Sequence, residues 1–272
     1  MLKLGWFSTG RGPGSRNLLQ AVMDQKQQGK LDVEISFVFC NWDNTEMPNP
    51  RHDQRQMFFD QVRGFGIPLI AASWKKFECE LRKQDESAWR NAYGKLLREK
   101  CGQYSFDLGI LAGYMLWMDD ETCRQYDMLN LHPALPTGPK GTWEEVIWQL
   151  IASDAREQGV MLHLCTAEWD RGAALTYCSF PIRGGVYDVL WDRLHAKLKT
   201  QTLDEIKAKE GTAEPLFKQI RQDGAARELP LIVETIRLFA DSKVYIRDKQ
   251  LYTHEKKLAG PYNLSAEVDR EV

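Results

Sequence analysis

Apolar runs of strand length alternate along this chain with longer segments whose apolar residues recur at helical spacing. Leu2 to Ser8 reads as a buried strand that ends in the turn Thr9-Gly-Arg-Gly-Pro-Gly-Ser-Arg16, and a helical pattern runs from Asn17 to about Gln28. Val33 to Cys40, rich in β-branched and aromatic residues, predicts a second strand. The polar, proline-bearing stretch between Asn41 and His52 predicts a loop. Asp53 to Arg63 predicts a helix stopped by Gly64-Phe-Gly66, and Ile67 to Ile70 a short strand. Charged residues with spaced Leu, Trp and Tyr predict one long amphipathic helix from about Lys76 to Cys101. Phe106 to Leu111 is a strand leading into Ala112-Gly113-Tyr-Met-Leu-Trp-Met118, a short helix follows near Asp120 to Gln125, and another strand opens at Met128. Trp143 to Ser153 predicts a helix, and Gly159 to Thr166 and Ala173 to Ser179 two further strands.

Beyond Phe180, helical patterns cover about Tyr187 to Lys199 and Leu203 to Ile220, and an apolar helix follows Arg227-Glu228. Val244 to Tyr252 predicts a hairpin turning at Asp248-Lys249, and the acidic end Ala266 to Val272 a surface tail. The β-α-β-α rhythm predicts the α/β class, with a mostly parallel, doubly wound, Rossmann-like sheet. In such sheets ligands gather at the carboxyl ends of the strands, near the place where strand order reverses. Ser8, Leu111 and Asn130 all stand at predicted strand ends. The expected organisation is one domain over 1–245 with a helical insertion at about 183–222, followed by a hairpin end and tail at 246–272.

Composition narrows the function classes. With 272 residues and a formal charge of −2, the chain can bury a sizeable core and lacks the basic footprint of a nucleic-acid binder. No apolar run approaches the ~20 residues that cross a bilayer, and Met1-Leu-Lys-Leu-Gly-Trp-Phe enters a strand without a signal-peptide layout. Six cysteines at scattered positions, with no Cys-x-x-Cys, argue for reduced thiols in a cytoplasmic protein. The expectation is a small-molecule partner, no nucleic acid, no membrane, and a monomer or homodimer.

The candidate chemistry centres on Met128-Leu-Asn-Leu-His-Pro-Ala-Leu-Pro-Thr-Gly-Pro-Lys-Gly141. Asn130 and His132 lie two apart, so on an extended backbone they point to one side. An amide that donates to a developing oxyanion and an imidazole that titrates near neutrality would share a cleft. An isolated Asn-x-His is more often a strand cap beside a satisfied histidine. Asp170, in the Asp-x-Gly turn after the strand bearing His163, is on its own most simply a turn residue. The loop Gly10-x-Gly12-x-Gly14 lacks both the dinucleotide fingerprint and the Gly-Lys-Ser/Thr of a nucleotide P-loop. It reads equally as a capped tight turn or as a helix N-terminus offering N–H groups to a phosphate or carboxylate.

Asn130-x-His132-Pro followed by Leu-Pro, then Gly159-x-x-x-His163, then Asp170-x-Gly172 resembles the folate-dependent formyltransferases, in particular the branch acting on glycinamide ribonucleotide. Ser15-Arg-Asn-Leu-Leu-Gln20, Leu111-Ala-Gly-Tyr-Met115 and Arg227-Glu228 join them, so the resemblance covers about 1–180 and again 215–245. It implies that Asn130, His132 and Asp170 are catalytic and His163 supports them. The implied donor is 10-formyltetrahydrofolate, bound near Tyr114, Met115, Leu116, Trp117 and Met118 and near Thr166, Ala167 and Glu168. Gly14, Ser15, Arg16 and Asn17 match a loop that holds the acceptor's phosphate, and Glu228 a residue that contacts its amine. Neither a metal nor a covalent nucleophile is implied, and a zinc site at His132, His163 and Asp170 competes with a structural role for His163.

The chain departs from the family pattern in places. His132-Pro-Ala-Leu-Pro136 is one leucine short, Leu229 stands where a histidine often follows the acidic residue, and about 30 residues are added between Phe180 and Arg227. The implied activity is formyl transfer to glycinamide ribonucleotide in purine biosynthesis. The alternatives are another amine such as an amino-sugar nucleotide, hydrolysis of formyltetrahydrofolate, or a non-catalytic folate or nucleotide sensor. Transfer to methionyl-tRNA is disfavoured because those relatives carry a further barrel domain.

Overall fold

A computed structural model describes residues 1–43, 50–168, 170–254 and 256–272. Residues 44–49 of the predicted Asn41 to His52 loop, and Trp169 in the loop before Asp170, lie outside the described residues, as do the side chains of residues 50 and 51. The first half runs β1 (Leu2–Ser8), α1 (Pro13–Gln27), β2 (Val33–Cys40), α2 (Pro50–Gly64), β3 (Leu69–Ala71), α3 (Cys79–Gln84), α4 (Glu86–Cys101), β4 (Leu108–Leu111), α5 (Asp120–Gln125) and β5 (Met128–His132). The second half runs α6 (Trp143–Ala152), β6 (Glu157–Leu164), β7 (Ala174–Pro181), α7 (Val186–Leu198), α8 (Leu203–Glu210), α9 (Pro215–Ala240), β8 (Val244–Arg247), β9 (Gln250–Thr253), β10 (Tyr262–Asn263) and α10 (Ser265–Val268).

Eight strands form one sheet in the order β10-β7-β6-β5-β4-β1-β2-β3. β3, β2, β1, β4 and β5 are parallel, β6 and β7 pair antiparallel, and β10 returns parallel to β7. The chain steps outward from β1 to β3 and then crosses to β4 on the other side of β1. The order therefore reverses between β1 and β4, which is where a doubly wound sheet opens a crevice.

Burial on both faces explains why the parallel strands read as continuous apolar runs. Leu4 and Trp6 face one core with α1, α2 and α9, while Phe7 on the opposite face joins Phe39, Trp89, Tyr93 and Leu97. In β2 an extra residue shifts the register, Leu4 pairing with Ile35 and Gly5 with Phe37. That bulge sends Ser36 to the Ser105 carbonyl and lets Ile35 and Val38 face the same core across an odd spacing. α7, α8 and the start of α9 bury Trp191, Leu194, Ile206, Phe217 and Ile220 against Ile147 and Trp148 of α6. Each such side chain contributes about 1.5–3 kcal/mol by leaving water, so this helical segment has a satellite core of its own.

The single helix predicted over Lys76 to Cys101 is two. Asp85 is extended at φ −149°, and its carboxylate accepts the Ala88 N–H as the cap of α4. The stretch Leu203 to Ile220 likewise divides, because Gly211 at φ +52° stops α8 and Pro215 starts α9. The hairpin turns at Asp248 and Lys249, both in the left-handed region, as a two-residue turn requires. The C-terminal stretch is more than a surface tail: Tyr262–Asn263 adds a strand, and Leu264 and Val268 are buried in the main core. Among the described residues no helix is long and apolar enough to cross a membrane.

Candidate active site

The ends of β1 and β4 are tied together at the crevice. The Thr9 N–H donates to the Gly113 carbonyl at 3.1 Å, and the Met115 N–H to the Thr9 hydroxyl at 2.9 Å. α1 starts earlier than predicted, with Pro13 in its first turn, no acidic residue there, and Gly14 and Ser15 following. First-turn N–H groups have no partner within their own helix, so this end offers donors and a positive dipole to an anion.

Asn130 and His132 stand on one face at the end of β5, and the chain after β6 returns to place Asp170 against both. Asp170 adopts φ +51°. Two residues on, the Leu164 carbonyl occupies the place that a Cβ of Gly172 would take, so only glycine lets this turn close on β6. His132 Nδ1 lies 3.4 Å from Asp170 Oδ2, and its Nε2–H donates to the Pro139 carbonyl at 3.1 Å. His163 Nδ1–H donates to the Leu164 carbonyl at 2.9 Å, which leaves Nε2 to accept from Asn130 Nδ2 at 3.1 Å. Asn130 Nδ2 is also 3.1 Å from Asp170 Oδ1, and that oxygen is 3.4 Å from His163 Nε2.

These distances make a nearly equilateral triangle, so the two acceptors subtend far less at Nδ2 than the roughly 120° between amide N–H bonds. One hydrogen serves the pair and the second remains for a ligand. Turning the amide over would set its oxygen against a carboxylate and an imidazole lone pair, which fixes the orientation.

Protonation follows from burial. His132 is 2% exposed, and burial pulls its pKa below the usual 6.5 despite the opposing Asp170 carboxylate and the Pro139 carbonyl. Desolvation thus outweighs the Asp170 carboxylate in setting the charge state of His132. Burial pushes the Asp170 carboxyl up, but its contacts with the His163 and His132 rings and with the Gly141 amide hold it below the ordinary carboxylate value. The resting pair is a neutral imidazole facing a carboxylate. Among the described residues no group of His, Cys, Asp or Glu side chains is arranged to hold a metal ion.

Two cavities meet at this cluster, with Tyr114, Asn130 and Asp170 lining both. The smaller is a narrow slot between an apolar wall of Leu111, Leu116, Trp117 and Met118 and a polar edge of Cys165, Thr166 and Asp170. A flat heterocycle with donors along one edge fits such a slot. The larger, about 460 Å3, runs from Arg11, Gly14 and Ser15 at the start of α1, past His132, to Trp143 of α6 and to Arg221 and Glu228 of α9.

Most predicted site residues converge here. Met115 lines the larger cavity instead of the slot, and neither cavity lining includes Ala167 or Glu168, whose carbonyl accepts the Thr166 hydroxyl. Arg16 is turned away, donating to the carbonyl and side chain of Gln54 at 3.1 and 2.8 Å, and Asn17 is exposed outside both linings. The sequence reading missed Arg221 and Trp143. A seven-residue spacing to Glu228 inside one helix was the signal for Arg221, since two turns return to one face.

The formyl transferase family model matches residues 12–199, well over half of the chain. A phosphoribosylglycinamide formyltransferase of Dictyostelium discoideum is 24% identical over 205 residues, which span 71% of this chain and 93% of that relative. The fold is shared with phosphoribosylglycinamide formyltransferase from Coxiella burnetii in complex with CHES, with a TM-score of 0.67, 19% identity, and 96% and 99% of the two chains covered. It is also shared with formyltetrahydrofolate deformylase from Pseudomonas syringae pv. tomato, with a TM-score of 0.60, 15% identity, and 93% and 65% covered. The family match spans the start of α1, the end of β5 and the Asp170 turn alike: the chain belongs to the formyl transferase family and is a folate-dependent formyltransferase with 10-formyltetrahydrofolate as its formyl donor.

Proposed function

We propose that this enzyme formylates the primary amine of a phosphorylated small-molecule acceptor, with glycinamide ribonucleotide as the acceptor that fits best. The observation that carries this reading is the junction of a slot and a larger cavity at Asn130 and Asp170. A donor in the slot and an amine in the larger cavity would then meet beside the same amide. The N-terminal turn of α1 at the far end of that cavity suits a phosphate.

The amine attacks the formyl carbon, a C–N bond forms, and negative charge gathers on the formyl oxygen. The free Asn130 Nδ2 hydrogen donates to that oxygen, an effect typically worth about 2.7–4 kcal/mol. The nitrogen must then lose a proton. Neutral His132 takes it through water, and the imidazolium formed faces Asp170, so the carboxylate favours the charged product state of the relay. Rupture of the bond between the formyl carbon and N10 of the folate completes the transfer, and the proton returns to that nitrogen.

The test follows tetrahydrofolate release from 10-formyltetrahydrofolate with and without glycinamide ribonucleotide. Turnover that requires the nucleotide supports the reading. Equal turnover without any amine would make the enzyme a hydrolase, and turnover only with an amino-sugar nucleotide would move the acceptor.

A further inference from the structure

Arg221 is a charged side chain that α9 brings to the acceptor-side cavity. It precedes Glu228 by two turns of α9, and its Nη1 lies 2.5 Å from Glu228 Oε1. Its guanidinium carbon lies 4.9 Å from the ring centroid of Trp143, on α6 in the same lining. The side chains of Arg221 and Glu228 are 30% and 14% exposed, so the pair is partly withdrawn from water and couples more strongly than an open surface pair. The bond uses Oε1, which leaves Oε2 as an acceptor.

With the acceptor reading above as its premise, we infer that Arg221 is a positioning residue for the acceptor amine: it clamps the Glu228 carboxylate, and its charge keeps the amine in the neutral, nucleophilic form. An ammonium has no lone pair with which to attack the formyl carbon. A carboxylate alone beside the amine would stabilise the ammonium and hold its proton, whereas a guanidinium does the opposite. An amine hydrogen-bonded to Glu228 lies within the roughly 6 Å over which a neighbouring charge shifts a pKa. The other charged or titratable groups facing the cavity are Arg11 before α1, Glu144 on α6, His132 on β5 and Asp170. Glu144 is exposed and therefore screened, Asp170 is engaged by Asn130 and the two imidazoles, and His132 rests neutral. Glu228 and Arg221 thus set the field at the amine together with Arg11, the remaining charge, at the α1 end of the cavity.

The experiment is the pH profile of kcat, at saturating donor and glycinamide ribonucleotide, in wild type, Arg221→Met, Arg221→Lys and Glu228→Gln, with the donor KM and the thermal midpoint measured alongside. Arg221→Met is expected to move the acidic limb up by about one pH unit, a roughly tenfold loss near neutrality that fades at high pH. Arg221→Lys is expected to keep the limb near the wild-type position, and Glu228→Gln to move it down, with the donor KM unchanged throughout. Equal loss at every pH, or a limb that stays in place in both Arg221→Met and Glu228→Gln, would overturn the inference while leaving the acceptor reading standing. Wild-type turnover without any amine would overturn both.

Discussion

His132 is bound to Pro139: its Nε2 lies 3.1 Å from that residue's carbonyl oxygen, which can only accept. The proton of the neutral ring therefore sits on Nε2, and the bare Nδ1 faces Asp170. Because burial holds His132 below 6.5, the acidic limb that it contributes to kcat/KM is expected below that value, and His132→Gln should remove the limb along with most of the rate. The same shift bears on stability. A folded-state pKa below the unfolded one gives stability that is full above 6.5 and is lost as pH falls through the folded value. Asp170, also lowered, adds a second loss at more acid pH. Urea midpoints measured across the acid range should fall in two stages in the wild type, and His132→Gln should lack the first.

Asn130→Ala removes the donor to the oxyanion. The expected cost is a fall in kcat of about 10²–10³ with little change in either KM. His163→Ala should give a smaller fall, because it removes only the acceptor that holds the amide in place. Steady-state kinetics on both variants decide the order, and a larger loss for His163→Ala would reverse the assigned roles.

Gly172→Ala puts a methyl group where the Leu164 carbonyl stands, and the obstacle is backbone that cannot swing away. A loss of about 1–3 kcal/mol is expected by chemical denaturation, with activity falling as the Asp170 turn is pushed off β6. Gly260→Ala, with open space around the position, should change little.

The resemblance, and not the residues alone, implied that Asn130, His132 and Asp170 belong together, and only part of their convergence is local: alternation on β5 puts Asn130 and His132 on one face, and Asp170-x-Gly172 makes its own turn. The loop after His132 packs closely, since Ala134 is fully buried and the Pro133 carbonyl accepts from Gln158. What could not be read was set by contacts distant in sequence. Arg16 looked like an anion ligand until α2 supplied Gln54, and Arg221 acquires meaning only when α9 lies across the cavity from Trp143. The break at Asp85 was missed for another reason, because the charged and aromatic periodicity continues through it.

The C-terminal stretch yields a further expectation. Val268, fully buried, and Leu264, at 2% exposure, close the β7 side of the core through a strand of two residues. Val268→Ala or Leu264→Ala should lower stability by a few kcal/mol, about 2–5 for the leucine, while leaving kcat intact, because β10 is an edge strand with β7 and β6 between it and β5. A change confined to kcat would contradict that placement.

Asp170→Asn offers the sharpest test of formyl transfer centred on this cluster. The amide occupies the same volume but carries no charge to favour a His132 imidazolium, and one of its orientations sets an NH2 against the Asn130 donor. Single-turnover release of tetrahydrofolate, with saturating 10-formyltetrahydrofolate and glycinamide ribonucleotide, should slow by roughly 10²–10⁴ while donor affinity and the melting midpoint stay close to wild type. A rate within a few-fold of wild type would show that the reaction proceeds without this carboxylate and would remove the cluster from the chemistry.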